Sequence, residues 1–307
     1  MADTKPDSRM VLGFPEYRDA ARRLAEQAGL PYADVDIHHF PDGESKVRLP
    51  LPLAGEVIFC RSLDHPNDKL VELDLAAATA RELGARRLTL VAPYLAYMRQ
   101  DTAFNPGEAV SQRIIGELLA RRFDTLITVD PHLHRVHRLE EAVPVKQAVS
   151  LSATAPMADY LAGHGDNPFL IGPDEESEQW VAAIAGHRQL DFAVARKERL
   201  GDRDVHVILP DGDYANRHLV LVDDVASTGC TLEEAARQLS RYRPASISVL
   251  VTHALFVGDA EQRLRAAGIT RICSTDSIPH HSNRLLLAPL LASALTTEPV
   301  WALHESA

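Results

Sequence analysis

The sequence has few cysteines, no long hydrophobic run and no apolar leader, and each absence excludes a class of protein. The three cysteines, Cys60, Cys230 and Cys273, lie far apart and show no CxxC or Cys/His metal spacing, so we expect free thiols in a reducing cytoplasm. No run approaches the roughly 18 uninterrupted apolar residues that a membrane-spanning helix needs. The N-terminus, MADTKPDSRM, lacks the apolar core of a secretory signal. We therefore expect a cytoplasmic protein without a membrane partner.

Positive charge is also scarce. Lysine and arginine number 32 against 43 aspartates and glutamates, which gives a net charge of −11. Proteins that hold nucleic acid through its phosphates show a basic face, so we expect no nucleic-acid partner. Hydrophobic residues are 46% and charged residues 24%, which is ordinary for a folded globular protein. A chain of 307 residues is long enough for about two domains.

Short apolar runs alternate with longer amphipathic stretches along the chain. Continuous runs of Val, Ile and Leu are typical of strands that are covered on both faces. Strands are predicted at residues 56–60, 87–92, 125–129, 169–172, 192–195, 205–209, 218–222, 246–252 and 271–273. Helices are predicted at residues 16–27, 68–83 (with Asn67 as the N-cap), 108–121, 177–187, 232–242 and 259–267. The alternation predicts an α/β fold with mainly parallel sheets.

The strand–helix pattern runs twice, which predicts two domains. Small and polar residues are frequent at 143–166, and we place the boundary there, giving domains at residues 1–150 and 151–307. The apolar C-terminal segment, residues 285–295, is expected to pack back on a neighbouring domain or subunit.

The most informative segment is residues 218–231, HLVLVDDVASTGCT, which reads as a strand, two acids, a loop of small residues and the start of a helix. Backbone N–H groups at such a helix N-terminus can surround a phosphate, and glycine lets the backbone approach it closely. Asp223 and Asp224 suit ribose hydroxyls or Mg²⁺. A ribose 5-phosphate fits both halves, although an acidic turn that caps an ordinary helix remains the alternative. The residues predicted to hold the phosphate are Ser227, Thr228, Gly229, Cys230 and Thr231.

A second candidate is the loop at residues 40–44, FPDGE, which places Phe40 beside Asp42 and Glu44. An aromatic face can stack on a base, and a carboxylate can accept from an exocyclic amine, so the loop suits adenine. Since Pro-Asp-Gly is also a common turn signal, a plain turn is the alternative.

Four further segments each follow a predicted strand. Each also has an ordinary reading as a surface loop or a helix start, and we read the pairs His38–His39 and His280–His281 as ordinary surface or structural histidines. The candidates are Arg99, Gln100 and Asp101 for phosphate and polar contacts, His132 for a metal or phosphate, Asp174 at a strand edge where α/β folds place ligands, and the charged run at residues 196–203.

The order of these segments carries a resemblance. VLVDDVASTGCTL by itself resembles the phosphoribosyl-diphosphate (PRPP) binding loop of type I phosphoribosyltransferases and of PRPP synthetases. Preceded in order by FPDGE, PND, PYLAYMRQD, DPH, PD and KER, it resembles the PRPP synthetase (ribose-phosphate diphosphokinase) family over most of the chain. Ser227 and the NPGE after RQD are similar to archaeal-type members.

The resemblance implies two tandem type I phosphoribosyltransferase domains, with the ATP side in residues 1–150 and the ribose 5-phosphate loop in residues 151–307. It also implies a homo-oligomer with the ATP site at a subunit interface, and Mg²⁺ as cofactor. In the implied reaction, the 1-hydroxyl of ribose 5-phosphate attacks the β-phosphorus of MgATP, which gives PRPP and AMP.

The resemblance also implies a role for each candidate residue. ATP would be bound by Phe40, Asp42, Glu44, Arg99 and Gln100, with Asp101 nearby. Mg²⁺ would be placed by His132 and Asp174. Ribose would be held by Asp223 and Asp224, and its 5-phosphate by Ser227, Thr228, Gly229, Cys230 and Thr231. The catalytic cations would be Lys197 and Arg199, on a flexible loop.

Departures from the family pattern keep alternatives open. The segment after Asp174, often glycine-rich, reads Glu175-Glu176-Ser177 here, which is the single feature that favours a different sugar phosphate. A catalytically silent regulatory subunit is a second alternative, and retention of the catalytic positions argues against it. A phosphoribosyltransferase is a third, and the ATP-type segments argue against that.

Overall fold

The computed structural model describes residues 8–163, 167–199 and 205–296. It divides into two compact units. Unit 1 contains the described residues up to Leu151 together with those from Leu287 onward, and unit 2 contains those from Ser152 to Leu286. The segment in which we placed the domain boundary, residues 143–166, contains a strand that ends unit 1 and a helix that begins unit 2.

Unit 1 is a six-stranded parallel sheet with helices. Its elements are β1 (Arg9–Gly13), α1 (Arg18–Ala28), β2 (Tyr32–Asp34), β3 (Asp36–His39), β4 (Ser45–Arg48), β5 (Glu56–Cys60), α2 (Pro66–Glu82), β6 (Arg87–Val91), α3 (Ser111–Ala120), β7 (Thr125–Val129), α4 (Leu139–Ala142) and β8 (Gln147–Leu151). The sheet order is β2-β1-β5-β6-β7-β8, and β3 pairs with β4 as a separate antiparallel hairpin.

Unit 2 repeats this plan. Its elements are α5 (Thr154–Ala162), β9 (Phe169–Gly172), α6 (Glu178–Arg188), β10 (Phe192–Val194), β11 (Arg196–Arg199), β12 (Val205–Ile208), β13 (His218–Ala226), α7 (Cys230–Ser240), β14 (Ser246–Ala254), α8 (Ala260–Ala266), β15 (Ile269–Thr275) and β16 (Asn283–Leu285). The sheet order is β10-β9-β13-β14-β15-β16, all parallel, and β11 pairs with β12 as a separate antiparallel hairpin. The predicted α/β fold of two domains with mainly parallel sheets is confirmed.

The last helix, α9 (Ala288–Thr296), returns to unit 1 and lies against α1 and β8. The Arg9 guanidinium donates to the backbone oxygen of Leu295 over 2.9 Å and fixes the end of the helix. Its apolar face, which includes Leu291 and Leu295, is buried.

The central strands are buried because both faces of each sheet are covered. All five residues of β7 are buried, and β5 and β6 are buried beyond their first residue. This burial explains the continuous apolar runs in the sequence. In α3, an added Cβ at Gly116 would lie 1.8 Å from the backbone oxygen of Ala142, so glycine is required for α3 and α4 to pack this closely. No helix in the described part of the chain is long and apolar enough to cross a membrane.

The prediction that Asn67 is the N-cap of α2 is wrong. The helix begins at Pro66, His65 occupies the cap position, and Asn67 lies inside the first turn. Proline is suited to the first helical position because its fixed φ fits the helix and its missing N–H would have no intrahelical partner.

Candidate active site

The turn between β13 and α7 has the geometry of an anion site. β13 ends at Ala226 and α7 begins at Cys230, so residues 227–229 form a short turn at the carboxyl edge of a parallel sheet. Gly229 has a φ of +73°, a left-handed conformation that glycine adopts without strain, and its oxygen accepts from the backbone N–H of Glu233 over 2.8 Å. The amides at the start of this helix carry the positive end of its dipole, which favours a phosphate.

Arg263 on α8 contacts this turn, and its supporting role was not predicted from the sequence. Its guanidinium donates to the backbone oxygen of Thr228 over 2.5 Å and to Glu233 of α7 over 2.9 Å, and it also pairs with Asp259. The hydrogen bond to Glu233, followed by the charge of Asp259, raises the pKa of Arg263 against the opposing effect of desolvation. One cation therefore fixes the turn relative to two helices. Its spacing from Asp259 is ordinary for a surface helix, so the contact with the turn could not be predicted from local pattern.

Three carboxylates lie together at the edge of the unit 2 sheet. Asp223 and Asp224 end the apolar part of β13, and Asp174 follows the neighbouring strand β9. Asp224 is 3% exposed and Asp174 is 8% exposed, while part of Asp223 remains accessible. Burial, and then the charges of Asp224 and Asp174, raise the pKa of Asp223 well above its ordinary value. The structure therefore brings together three of the acids that the sequence selected.

The segment after Asp174 is a closed turn. Residues Glu175–Ser177 form one turn of 3₁₀ helix, and the Ser177 hydroxyl donates to the backbone oxygen of Asp174 over 2.6 Å. An added Cβ at Gly172 would lie 2.5 Å from that hydroxyl, so the glycine permits this close approach. The bulkier Glu-Glu-Ser sequence thus fits a regular turn that starts α6.

Lys197 and Arg199 lie on a strand, where we had expected a flexible loop. Both belong to β11, in register with Val207 and Val205 of β12. The connection between these strands, residues 200–204, lies outside the described part of the chain. The prediction of a loop was wrong for these two positions because a charged run with no apolar alternation carries little strand signal.

In unit 1, residues 40–44 close the β3–β4 hairpin. The backbone N–H of Phe40 donates to the oxygen of Glu44 over 2.8 Å, and the N–H of Glu44 donates to the Asp42 carboxylate over 3.2 Å. Phe40 is 41% exposed, and the ring of His38 meets it edge to face at 4.9 Å. The loop is a tight turn, and it also presents an aromatic ring and two exposed acids.

A buried carboxylate anchors this hairpin. Glu72 of α2, whose side chain is 2% exposed, accepts from the Ser45 hydroxyl over 2.9 Å and is 2.7 Å from Nε2 of His39. Arg61 pairs with its second oxygen. Burial acts to raise the pKa of Glu72, but the hydrogen bonds from Arg61 and His39 outweigh it, and the pKa lies below its ordinary value. His39 and Ser45 face each other across the hairpin, so Glu72 grips it next to the turn.

The three residues at 99–101 separate in their roles. Arg99 is exposed, whereas the Gln100 side-chain oxygen accepts from the Ser111 hydroxyl over 2.8 Å. The Asp101 carboxylate accepts from the backbone N–H of Arg135 over 3.0 Å and from its guanidinium over 2.6 Å. Burial acts to raise the pKa of Asp101, but these bonds lower it overall. Asp101 therefore links its loop to the segment after β7.

The two expected metal ligands lie in different units. His132 follows β7 in unit 1, and its ring meets that of His134 at 4.5 Å. Asp174 belongs to the acid cluster of unit 2.

Two family models match the chain, one for each unit. The N-terminal domain of ribose phosphate pyrophosphokinase matches residues 10–122, and the phosphoribosyl transferase domain matches residues 151–277. The fold and the site in unit 2 therefore define a protein built from two phosphoribosyltransferase-type α/β units.

Relatives narrow this class to one family. The ribose-phosphate pyrophosphokinase of Methanopyrus kandleri is 36% identical over 289 residues, covering 93% of this chain and 98% of that protein. Those of Saccharolobus solfataricus (33% over 277 residues, covering 88% of this chain and 93% of that one) and Methanothermobacter thermautotrophicus (30% over 288 residues, 93% and 99%) are also similar. The chain belongs to the ribose-phosphate pyrophosphokinase family, and the expected likeness to archaeal members is confirmed.

A solved structure shares the fold. The phosphoribosylpyrophosphate synthetase of Mycobacterium smegmatis superposes with a TM-score of 0.80 over 98% of this chain and 100% of that one, at 22% sequence identity.

Proposed function

We propose that this enzyme is a ribose-phosphate diphosphokinase that transfers the β,γ-diphosphoryl group of ATP to the 1-hydroxyl of ribose 5-phosphate, giving PRPP and AMP. The observation that carries the proposal is the strand edge in unit 2, where an acid cluster runs directly into a phosphate-type turn. A ligand that presents hydroxyls beside a phosphate matches this order of groups. Family membership supports the same reaction.

We assign ribose 5-phosphate to residues 223–231. The phosphate would lie at the α7 N-terminus against Ser227, Thr228, Gly229, Cys230 and Thr231, and the ribose hydroxyls against Asp223 and Asp224. Arg263 favours this assignment because it holds the backbone of the turn through Thr228. A preformed turn loses less conformational entropy on binding than a mobile one.

We assign Mg²⁺ to the carboxylates of this cluster, with Asp174 among the ligands. We assign His132, in unit 1, the role of a metal or phosphate contact. Oxygen donors are the set that Mg²⁺ prefers. The crowding of Asp223 with Asp224 and Asp174, which raises the pKa of Asp223, supports a cation at this cluster. When bound, Mg²⁺ would neutralise phosphate charge that the protein would otherwise have to offset.

We assign ATP to unit 1. Phe40 would stack on adenine, and Asp42 and Glu44 would accept from its exocyclic amine. Arg99 and Gln100 would contact the phosphates, and Asp101 would position their loop through Arg135. The exposed Phe40 ring supports a site completed by a second copy of the chain, so we propose a homo-oligomer.

None of the three cysteines, all within the described part of the chain, forms a disulfide, which supports a reducing cytoplasm.

We assign Lys197 and Arg199 the role of catalytic cations that meet the charge developing on the transferred group. Diphosphoryl transfer asks the protein for alignment and charge stabilisation, and little covalent chemistry. Loss of one such contact costs about 10²–10³ in turnover. Lys197→Ala should therefore lower kcat by that factor while KM for ribose 5-phosphate stays within about threefold. An equal loss in both would contradict the role.

The experiment that tests the function is AMP formation from ATP and Mg²⁺, with and without ribose 5-phosphate, with the products identified by ³¹P NMR. We expect AMP to form only when ribose 5-phosphate is present, with one PRPP produced for each AMP. Release of ADP, or AMP that does not depend on the sugar, would contradict it. A panel of other sugar phosphates tests the altered-acceptor alternative.

A further inference from the structure

In unit 2, three side chains that could ligate a metal lie close together, and the proposed reaction uses none of them. Nε2 of His280 is 3.2 Å from one carboxylate oxygen of Glu261, and Nε2 of His281 is 2.9 Å from the other. The ligand atoms of the three side chains all lie within 4.8 Å of one another. Glu261 is on α8, and both histidines lie in the segment that joins β15 to β16.

The His280 ring is held by a buried polar network. Its Nδ1 is 2.7 Å from the Ser282 hydroxyl, which is 2.7 Å from the Ser274 hydroxyl, and both serines are at most 3% exposed. The backbone N–H of His280 donates to the Asn283 side chain over 2.8 Å. Metal-binding histidines commonly donate their second ring N–H to a neighbour. Ligation through Nε2 of His280 therefore requires the tautomer in which Nδ1 donates to the Ser282 hydroxyl, in place of the 3.2 Å hydrogen bond that Nδ1 accepts from the Ser282 backbone N–H.

Exposure differs among the three side chains in a way that suits an accessible ion. The side chains of His280, Glu261 and His281 are 16%, 28% and 69% exposed, so one side of the cluster is protein and the other is solvent.

We propose that Glu261, His280 and His281 form a binding site for one divalent transition-metal ion of the zinc class, separate from the magnesium site assigned to the acid cluster. Two imidazole nitrogens and a carboxylate are a donor set that zinc accepts, with a fourth position for water. An ordinary ion pair between Glu261 and one histidine needs no second ring, whereas here both rings point at the same carboxylate. The bound ion would link α8, which also carries Arg263, to the segment that joins β15 to β16.

The test is isothermal titration of the full chain with Zn²⁺ in saturating Mg²⁺, repeated with Co²⁺ and its visible absorption spectrum. Wild type should bind one ion that His281→Ala weakens at least about tenfold. His187→Ala removes an exposed histidine from α6 and is the matched control, which should bind as wild type does. Glu261→Gln should weaken binding as His281→Ala does.

Two readouts keep the result independent of folding. Thermal unfolding without metal should be the same for wild type and His281→Ala, because His281 is exposed. Zn²⁺ should raise the melting temperature of wild type and of His187→Ala equally, and that of His281→Ala less. Equal Zn²⁺ affinity and equal thermal shift in wild type and His281→Ala would overturn the proposal. The outcome does not depend on the assigned enzymatic reaction.

Discussion

In unit 1 the turn after β5 is filled by the chain's own ion pairs, whereas in unit 2 the equivalent turn after β13 gathers acids beside an open phosphate-type loop. Both strands occupy the third position of their sheets. In unit 1, Nζ of Lys69 donates to the backbone oxygen of Ser62 over 2.9 Å and to Asp64 over 2.8 Å. Arg61, from the same turn, pairs with Glu72 and Glu16.

The same fold therefore places charged side chains after this strand in two electrostatic arrangements. A buried charge is tolerated when it is paired, so the unit 1 turn is satisfied by protein alone. Carboxylates that lie close together destabilise one another, so the acids beside the unit 2 turn would be stabilised by a bound cation. The hairpins show a parallel contrast, because β3–β4 is anchored on Glu72 while β11–β12 carries Lys197 and Arg199.

The largest expected effect comes from breaking the unit 1 network. Glu72→Gln leaves Arg61, which is 3% exposed, without its full counter-charge, so it should destabilise the protein by about 3–5 kcal/mol in urea unfolding. It should also raise KM for ATP, because the β3–β4 hairpin loses its anchor. The matched control on the same helix is Asp74→Asn, whose partly exposed pair with Arg122 should be worth at most about 1 kcal/mol. Equal losses would contradict the account.

In unit 2, by contrast, removing a charge should increase the free energy of unfolding. Asp223→Asn should abolish activity and yet stabilise the ligand-free protein by about 1 kcal/mol at neutral pH, since one unit of pKa corresponds to roughly 1.4 kcal/mol. Because the folded state raises the pKa of Asp223, the destabilisation that its charge causes grows as pH rises from the unfolded pKa to the folded one. The measurement is urea unfolding between pH 4 and pH 8. A variant less stable than wild type across that range would rule out the repulsive cluster.

A smaller effect should come from loosening the phosphate turn. Arg263→Ala removes the bonds to Thr228 and Glu233 and should raise KM for ribose 5-phosphate about tenfold, because the turn that receives the phosphate loses its charge-assisted support. KM for ATP should not change. Arg237→Ala is the control, because Arg237 also pairs with Glu233 but does not reach the turn. A similar rise in both variants would assign the effect to Glu233.

The smallest effect is expected in the free energy of unfolding at acidic pH. The pKa of Asp101 is depressed in the folded state, so its contribution is present above the unfolded pKa and is lost as pH falls through the folded pKa. Asp101→Asn should lose about 1 kcal/mol at pH 7 and show less further loss than wild type when the pH falls below about 4. Asp36→Asn, in an exposed pair with Arg48, should leave the curve unchanged. Parallel curves for wild type and Asp101→Asn would contradict this prediction.

Local pattern predicted most of the buried strands and the short turn between β13 and α7, but it missed the buried strand β1. The strands that became β5, β6, β7, β9, β13 and β14 are continuous apolar runs, and burial on both faces is what such runs indicate. The β3–β4 hairpin was missed because its strands are mostly exposed and polar. Helix α5 was not predicted, since its small residues become recognisable as helix only through the burial of Met157 and Leu161.

The residues that support the site could not be found from local pattern. Glu72 contacts His39, 33 positions away, and Arg263 contacts Thr228, 35 positions away. Motif spacing records residues that meet a ligand on one loop, whereas these contacts exist only when separate elements pack. The same applies to Glu261 and His281, whose approach depends on α8 lying beside the β15–β16 connection.

The most direct test of the contrast between the two turns is calorimetric binding of ribose 5-phosphate, in the presence of Mg²⁺, to a matched pair of variants. Thr228→Asp and His65→Asp each add one negative charge to an exposed position in the equivalent turns of unit 2 and unit 1. We expect wild type to bind one ribose 5-phosphate per chain. Thr228→Asp should lower the affinity at least about a hundredfold, and His65→Asp should leave it unchanged. Undiminished binding in Thr228→Asp, or an equal loss in both variants, would contradict it.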